Sequence, residues 1–292
     1  MQYPIIKAMI RNEQKEEIFA LPIFLKWAGG KRRILKNLEP LFPERVERYF
    51  EPFLGAGSIF FFIKQKYRPR FSLISDANAD LIQTYKTVRD APDRLINFLK
   101  YFKKNNSEEF YYKVRKDLNE HAFEDHKRSA AFIYLNKTCY NGLYRVNLKN
   151  EFNVPYGRYE SPEIYSSEGI MKASELLQGV QIECQDYQAI LPSVKKGDFV
   201  YLDPCYDPIK RTSFVHYTPD RFSISDRNDL FEFIATAKNR GAKILLSNNN
   251  IPEIRKLYTM PKFKIHEIEA FRSVGSKKGS RDKVIELAIS SY

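Results

Sequence analysis

Cysteine is scarce in this chain. Three occur in 292 residues, Cys139, Cys184 and Cys205, an odd number with no paired metal-ligand spacing, so neither a disulfide framework nor structural zinc is expected and a reducing cytoplasm is. The four histidines are unpaired along the chain and suggest no metal site. No window approaches the ~18 consecutive apolar residues of a membrane span. The N-terminal MQYPIIKAMIRNEQKEEIF mixes charges into short apolar stretches, so no secretory signal or membrane anchor is expected. Acidic residues are outnumbered, 36 against 48 lysines and arginines for a net charge of +12. That balance favours a polyanionic partner, nucleic acid first, although many basic proteins are merely soluble.

The apolar content is ample. With 43% hydrophobic, 29% charged and 14% aromatic residues, the chain lacks the signature of disorder and can bury a core without covalent or metal support. Its length fits one large α/β domain or a core with a second module, at about 150 residues per domain. Residues 1–20 read as a polar N-terminal extension.

The order of apolar runs predicts the fold class. A Gly-Gly loop leads into an amphipathic helix carrying Ile34, Leu35, Leu38 and Leu41. A strand at Tyr49–Phe53 then meets Gly55-Ala56-Gly57-Ser58 and a helix, and a second strand from Phe71 ends at Asp76 before a helix over Asn78–Arg89. Strand, glycine turn, helix and strand make a βαβ unit. From Pro92 to about Gly157 the chain turns polar, helical and rich in lysine and tyrosine, as an inserted module would be. Apolar strands return at Gln181–Cys184, Gly197–Leu202, Gly241–Ser247 and Val284–Ser290. Short apolar strands alternating with helices imply a mostly parallel sheet covered on both faces.

Two motifs carry chemistry. The glycines of Glu51-Pro52-Phe53-Leu54-Gly55-Ala56-Gly57-Ser58 let the backbone turn sharply at a strand end and approach a ligand. Asp76 follows at the end of the next strand, where a carboxylate accepts hydrogen bonds from ribose hydroxyls. Phe60 occupies the place of the third glycine of a dinucleotide fingerprint, which disfavours NAD or FAD. A tight turn with a helix-capping aspartate explains the same residues without any ligand. Asp203-Pro204-Cys205-Tyr206 follows the apolar run Phe199–Leu202, placing polar groups where open α/β sheets bind ligands. Two acceptors there, the Asp203 carboxylate and the Pro204 carbonyl, suit methyl transfer to an exocyclic amine: they hold its two N–H groups and free the lone pair from the ring. Tyr206 would stack on the base. Taken alone, an Asp-Pro turn after a strand is usually structural.

The combination of FLKWAGGK at 24–31, EPFLGAGS at 51–58, SDANADLI at 75–82, the segment from Leu135 to Tyr159 and YLDPCYDP at 201–208 resembles the Dam-type DNA adenine-N6 methyltransferases. This is the D12 class in the α group of amino-methyltransferases, and the likeness is strongest to members that modify GATC. It runs in order from Phe24 to the C-terminus. The fold it implies is an α/β, Rossmann-like methyltransferase sheet with an inserted helical plus β-hairpin target-recognition domain. Residues 21–91 and 180–292 would form the catalytic domain and 92–179 the recognition domain.

The resemblance implies S-adenosyl-L-methionine as cofactor and double-stranded DNA as partner, with a companion restriction endonuclease only as a genetic partner. Trp27, Lys31, Glu51, Phe53, Gly55, Gly57, Asp76 and Asp203 would frame the cofactor, and Asp203, Pro204 and Tyr206 would hold a flipped adenine. Lys31 would pair with the cofactor carboxylate. On the DNA side stand Lys26, Asn141, Leu143, Arg145, Asn147 and Pro155. Arg145 would read a guanine through O6 and N7, and Leu143 and Pro155 would meet thymine methyls. A basic loop carrying Lys277, Lys278 and Arg281 reads as a phosphate clamp.

One position departs from the family pattern. Cys205 stands where the family has a second proline, which keeps both acceptors and removes the ring that fixes φ. It leaves one rival reading, a DNA-binding homologue with impaired turnover; a second rival is a methyltransferase acting on RNA or a protein amide, since motifs of this type occur with amide substrates too.

Overall fold

The strand Phe199–Leu202 is buried throughout, and its side chains divide between two cores. Phe199 and Tyr201 join one cluster, Val200 and Leu202 the other, as the two-residue period of a strand requires. Both faces of the sheet must therefore be covered.

The computed structural model describes residues 20–204, 224–259, 263–271 and 283–292. Its strands are β1 (Arg48–Glu51), β2 (Phe71–Asp76), β3 (Gln181–Cys184), β4 (Phe199–Leu202), β5 (Lys243–Asn249), β6 (Lys264–Phe271) and β7 (Lys283–Ser290). They form one seven-stranded sheet in the order β3-β2-β1-β4-β5-β7-β6. The first five run parallel, and β7 lies antiparallel between β5 and β6. This is a Rossmann-like sheet. The chain steps outward from β1 to β3 and then returns to β4, so the order reverses between β1 and β4. Open α/β sheets take their ligands outside the carboxyl ends of strands at such a point.

The helices are α1 (Ser58–Lys66), α2 (Ala79–Asp90), α3 (Pro92–Lys104), α4 (Glu108–Asn119), α5 (Asp125–Thr138), α6 (Ser167–Leu177), α7 (Ile224–Asn239) and α8 (Pro252–Tyr258). Leu230, Phe233 and Ile234 of α7 and Ile254 and Tyr258 of α8 cover one face together with Val200 and Ile244. α1, α2 and α6 cover the other, and their core runs on into the inserted segment, joining Phe60 and Ile74 to Leu95, Tyr111, Phe132 and Val154. α5 packs against α2, α3 and α4. It is buried on every side from Ser129 to Asn136, which is why it shows no apolar stripe.

Local chemistry departs from the sequence pattern in four places. The helix expected after the Gly-Gly loop breaks into a 3-10 turn (Lys31–Arg33), one α turn (Leu35–Leu38) and a second 3-10 turn (Glu39–Leu41), because Pro40 has no N–H to extend it. Pro52 likewise ends β1 at Glu51, two residues early. β6 was not anticipated. Its alternation is weak, with Ile268 and Ala270 buried and the adjacent polar pair His266 and Glu267 set between Ile265 and Ile268. Finally, the arms of the hairpin after Tyr140 pair through isolated bridges, Cys139 to Tyr156 and Val146 to Phe152, rather than through regular strands. Asn141 and Asn150 take positive φ, and α4 side chains satisfy the arm's backbone instead. Asn119 brackets Phe152 at 2.9 and 3.0 Å, and the Tyr111 hydroxyl donates to the Val154 carbonyl at 2.8 Å.

Candidate active site

A cavity of about 360 Å³ opens outside the ends of β1, β2 and β4. Its floor is the turn after β1, where the Leu54 amide donates to the Ser75 carbonyl at 3.0 Å and the Gly57 amide to the Leu54 carbonyl at 2.8 Å. Two glycines are required by space as well as by conformation. Gly55 has φ +48°, and a Cβ there would lie 2.7 Å from the Trp27 indole. Gly57 has φ +66°, and a Cβ there would lie 2.7 Å from the Tyr85 hydroxyl. That hydroxyl donates to the Gly55 carbonyl at 3.1 Å, locking α2 onto the turn.

Aromatic rings form the walls. Trp27 stacks on Tyr144 with centroids 5.3 Å apart, and Phe53 stacks on Tyr187 at 5.3 Å. The ionisable acids and bases of the lining are mostly acidic: Glu51, Asp76, Asp186 and Asp203 against Lys31. In a chain of net charge +12 this is a negative cavity, suited to a ligand that carries positive charge.

The carboxylates are held in distinct ways. Asp76 accepts from the Gly55 amide at 3.1 Å and the Asn78 amide at 3.0 Å. Burial raises its pKa and those amides work against the rise. Glu51 is fully buried and accepts from the Tyr49 hydroxyl at 2.6 Å. Its pKa stands well above the usual carboxylate range, chiefly through burial, with the charges of Asp203 and Asp76 adding to the rise. Asp203 leaves the end of β4 beside Pro204, and its Oδ1 lies 2.8 Å from the Lys31 ammonium. Lys31, only 3% exposed, also donates to the Gly29 carbonyl at 2.8 Å. The cavity thus gathers Trp27, Lys31, Glu51, Phe53, Gly55, Gly57, Asp76, Asp203 and Pro204. Lys31, expected to meet a cofactor carboxylate, is engaged with Asp203.

The residues assigned to DNA lie to one side, in the loop after α5 and beside it. Asn136 of α5 clamps the backbone of Lys26 through two 2.8 Å hydrogen bonds, and the Lys26 ammonium sits 5.0 Å from the centre of the Tyr159 ring. Arg145 is half-buried. Its Nε donates to the Asn153 side chain at 2.7 Å and its Nη2 to the Asn153 carbonyl at 3.3 Å. Asn147 shapes the tip: its Oδ1 accepts from the Lys149 and Glu151 amides at 2.9 and 3.0 Å, and its Nδ2 donates to Glu151 at 2.7 Å. Asn141 and Pro155 are exposed, and Leu143 packs against the core's edge. Cys205, Tyr206, Lys277, Lys278 and Arg281 lie outside the described residues, as does all but the last residue of the expected N-terminal extension.

Four contributors had no motif to mark them. Tyr144 stacks on Trp27 from the loop after α5, Tyr187 and Asp186 reach the cavity from the turn after β3, and Glu286 on β7 lies 3.8 Å from the Lys31 ammonium. Their placement at the site is a product of tertiary packing. The acid at the end of β3 was the one available hint, since strand ends carry ligand groups in this architecture. Among the described residues no helix is long and apolar enough to cross a membrane.

Comparison with known proteins is consistent with this geometry. The family model for the D12 class N6 adenine-specific DNA methyltransferases matches residues 27–274. The type II methyltransferase M.MjaIII of Methanocaldococcus jannaschii is 42% identical over 286 residues, covering 92% of this chain and 98% of that protein. The type II methyltransferase M1.LlaDCHI of Lactococcus lactis subsp. cremoris is 38% identical, covering 96% and 98%. The DNA adenine methylase of Escherichia coli (strain K12) is 34% identical, covering 90% and 93%.

Proposed function

The chain belongs to the D12 class of N6 adenine-specific DNA methyltransferases, and we propose that it takes its methyl group from S-adenosyl-L-methionine and places it on a flipped adenine within GATC. The observation that carries this reading is Asp203, fixed by Lys31 at 2.8 Å on the lip of an acidic cavity.

The residues fit the proposed donor. Its sulfonium and α-ammonium are cations, and Asp76 and Asp186 supply opposing charge while the buried Glu51 offers a polar partner. Gly55 opens a cradle that a Cβ would fill, Asp76 is oriented for ribose hydroxyls, and Trp27 and Phe53 offer apolar faces. When bound, S-adenosylmethionine supplies an electrophilic methyl carbon on sulfur. The residues do the rest. Asp203 and the Pro204 carbonyl accept the two N6 hydrogens, so the lone pair turns out of the ring toward that carbon. The C–N bond forms as the C–S bond breaks, and one N6 proton leaves by Asp203 to water. Tyr206 stacks on the extruded base.

Residues 92–179 act as the target-recognition module and 21–91 with 180–292 as the catalytic one. Arg145 reads guanine, Leu143 and Pro155 meet thymine methyls, Lys26 and Asn141 contact the outer base pairs, and Asn147 acts by shaping the loop tip. Lys277, Lys278 and Arg281 clamp phosphates. Asp203→Ala tests the assignment. It is expected to abolish methyl transfer while duplex affinity, measured by gel shift, stays within a few fold; activity equal to that of the unaltered chain removes Asp203 from the mechanism.

A further inference from the structure

Glu286 lies on β7 opposite Asn249 of β5 and Ile268 of β6. Its Oε2 is shut off from solvent and makes no hydrogen bond, yet it stands 3.8 Å from the Lys31 ammonium. Burial raises the carboxyl's pKa, with Lys31 opposing the rise and Asp203 adding to it. A buried carboxylate oxygen without a hydrogen bond is costly to keep, and packing alone would be served as well by an apolar side chain.

The geometry around Lys31 supplies a use. One ammonium, 3% exposed, stands between Asp203 Oδ1 at 2.8 Å and Glu286 Oε2 at 3.8 Å. Two carboxylates facing one cation compete for it, and more strongly where water is excluded. An ammonium drawn wholly onto Asp203 would tie up the carboxylate that must accept the substrate's N–H. Glu286 does not line the cavity, and the side chain of the site that it faces at ion-pair distance is Lys31. Resting on the reading of Asp203 as the N6 acceptor, we propose that Glu286 is a positioning residue for methyl transfer. It shares the Lys31 ammonium with Asp203 and so keeps the Asp203 carboxylate oriented and available to the amine. The placement of β7 between β5 and β6 brings this residue, close to the end of the chain, against a lysine near its beginning.

The test compares the full-length unaltered chain with Glu286→Gln and Glu286→Asp in single-turnover methyl transfer from labelled S-adenosylmethionine to a GATC duplex, at saturating duplex and donor. Dissociation constants for both and the thermal midpoint are measured alongside. Glutamine keeps the shape and removes the charge. The expected result is a fall of about tenfold in the transfer rate for Glu286→Gln, both dissociation constants within twofold, and a rate restored to within about threefold by Glu286→Asp. A Glu286→Gln rate within twofold of the unaltered chain overturns the inference, as does a loss carried by donor or duplex affinity. Equal losses in both variants with a lowered thermal midpoint also overturn it, since that pattern marks a structural role. No transfer by the unaltered chain overturns the reading of the site, and this inference with it; transfer by that chain with an unchanged Glu286→Gln overturns the inference alone.

Discussion

Trp27 and Tyr144 stack with centroids 5.3 Å apart and planes 19° from parallel, so the wall of the cavity and the loop after α5 share one contact. Tyr144 directly precedes Arg145. Its ring also meets Phe152 on the returning arm at 5.7 Å, which ties both arms of the loop to the cavity wall.

Removing that ring should therefore be felt on both sides. Tyr144→Leu is expected to weaken donor binding several-fold, in line with the ~0.5–1.5 kcal/mol of an aromatic pair, and to lower discrimination between GATC and scrambled duplexes. Calorimetric titration and competition binding measure the two effects. Weaker donor binding with unchanged discrimination would show that the stack is local packing.

Gly55→Ala addresses the cradle. The added methyl meets Trp27 at 2.7 Å on a backbone with φ +48°, a strain of about 1–3 kcal/mol. Donor affinity is expected to fall at least tenfold while circular dichroism shows the fold retained. Donor affinity equal to that of the parent would place the ligand elsewhere.

Glu51 yields a pH dependence. Its folded-state pKa is raised, so the stability linked to it is fully present below the unfolded-state pKa of about 4.3 and is lost as pH rises through the folded-state value. Glu51→Gln does not titrate. The variant's thermal midpoint should therefore rise relative to the parent as pH increases from about 4 toward neutrality. A midpoint difference independent of pH would mean that Glu51 is not the titrating group.

Arg145→Ala separates reading from anchoring. Nε and Nη2 are already braced on Asn153, which orients the guanidinium before DNA arrives. The expected outcome is relaxed selectivity at one base position by ~1–3 kcal/mol in a panel of substituted duplexes. Uniform weakening across the panel would identify a phosphate contact instead.

Sheet and cavity were legible in the sequence to different depths. β1, β2, β4 and β5 announced themselves because buried parallel strands are continuous apolar runs ending at polar turns, and those turns carry Gly55, Gly57, Asp76 and Asp203. The broken helix after Lys31 was hidden by a helical apolar spacing that Pro40 overrides. β6 was hidden because the adjacent polar pair His266 and Glu267 breaks the two-residue alternation of its apolar positions. The pairing of Lys31 with Asp203 and Glu286 joins residues 172 and 255 positions apart, and local pattern holds no record of it. Tyr144 and Tyr187 were invisible for the same reason: a tyrosine in a loop becomes a wall only when the chain brings another ring against it.

The central claim is that this cavity serves adenine methylation at GATC. Labelled methyl transfer from S-adenosylmethionine to two short duplexes, one with GATC and one with that site scrambled, followed by nucleoside analysis, tests it directly. The account predicts N6-methyladenine in the first duplex and none in the second; label in both alike, or in neither despite tight donor binding, would contradict it.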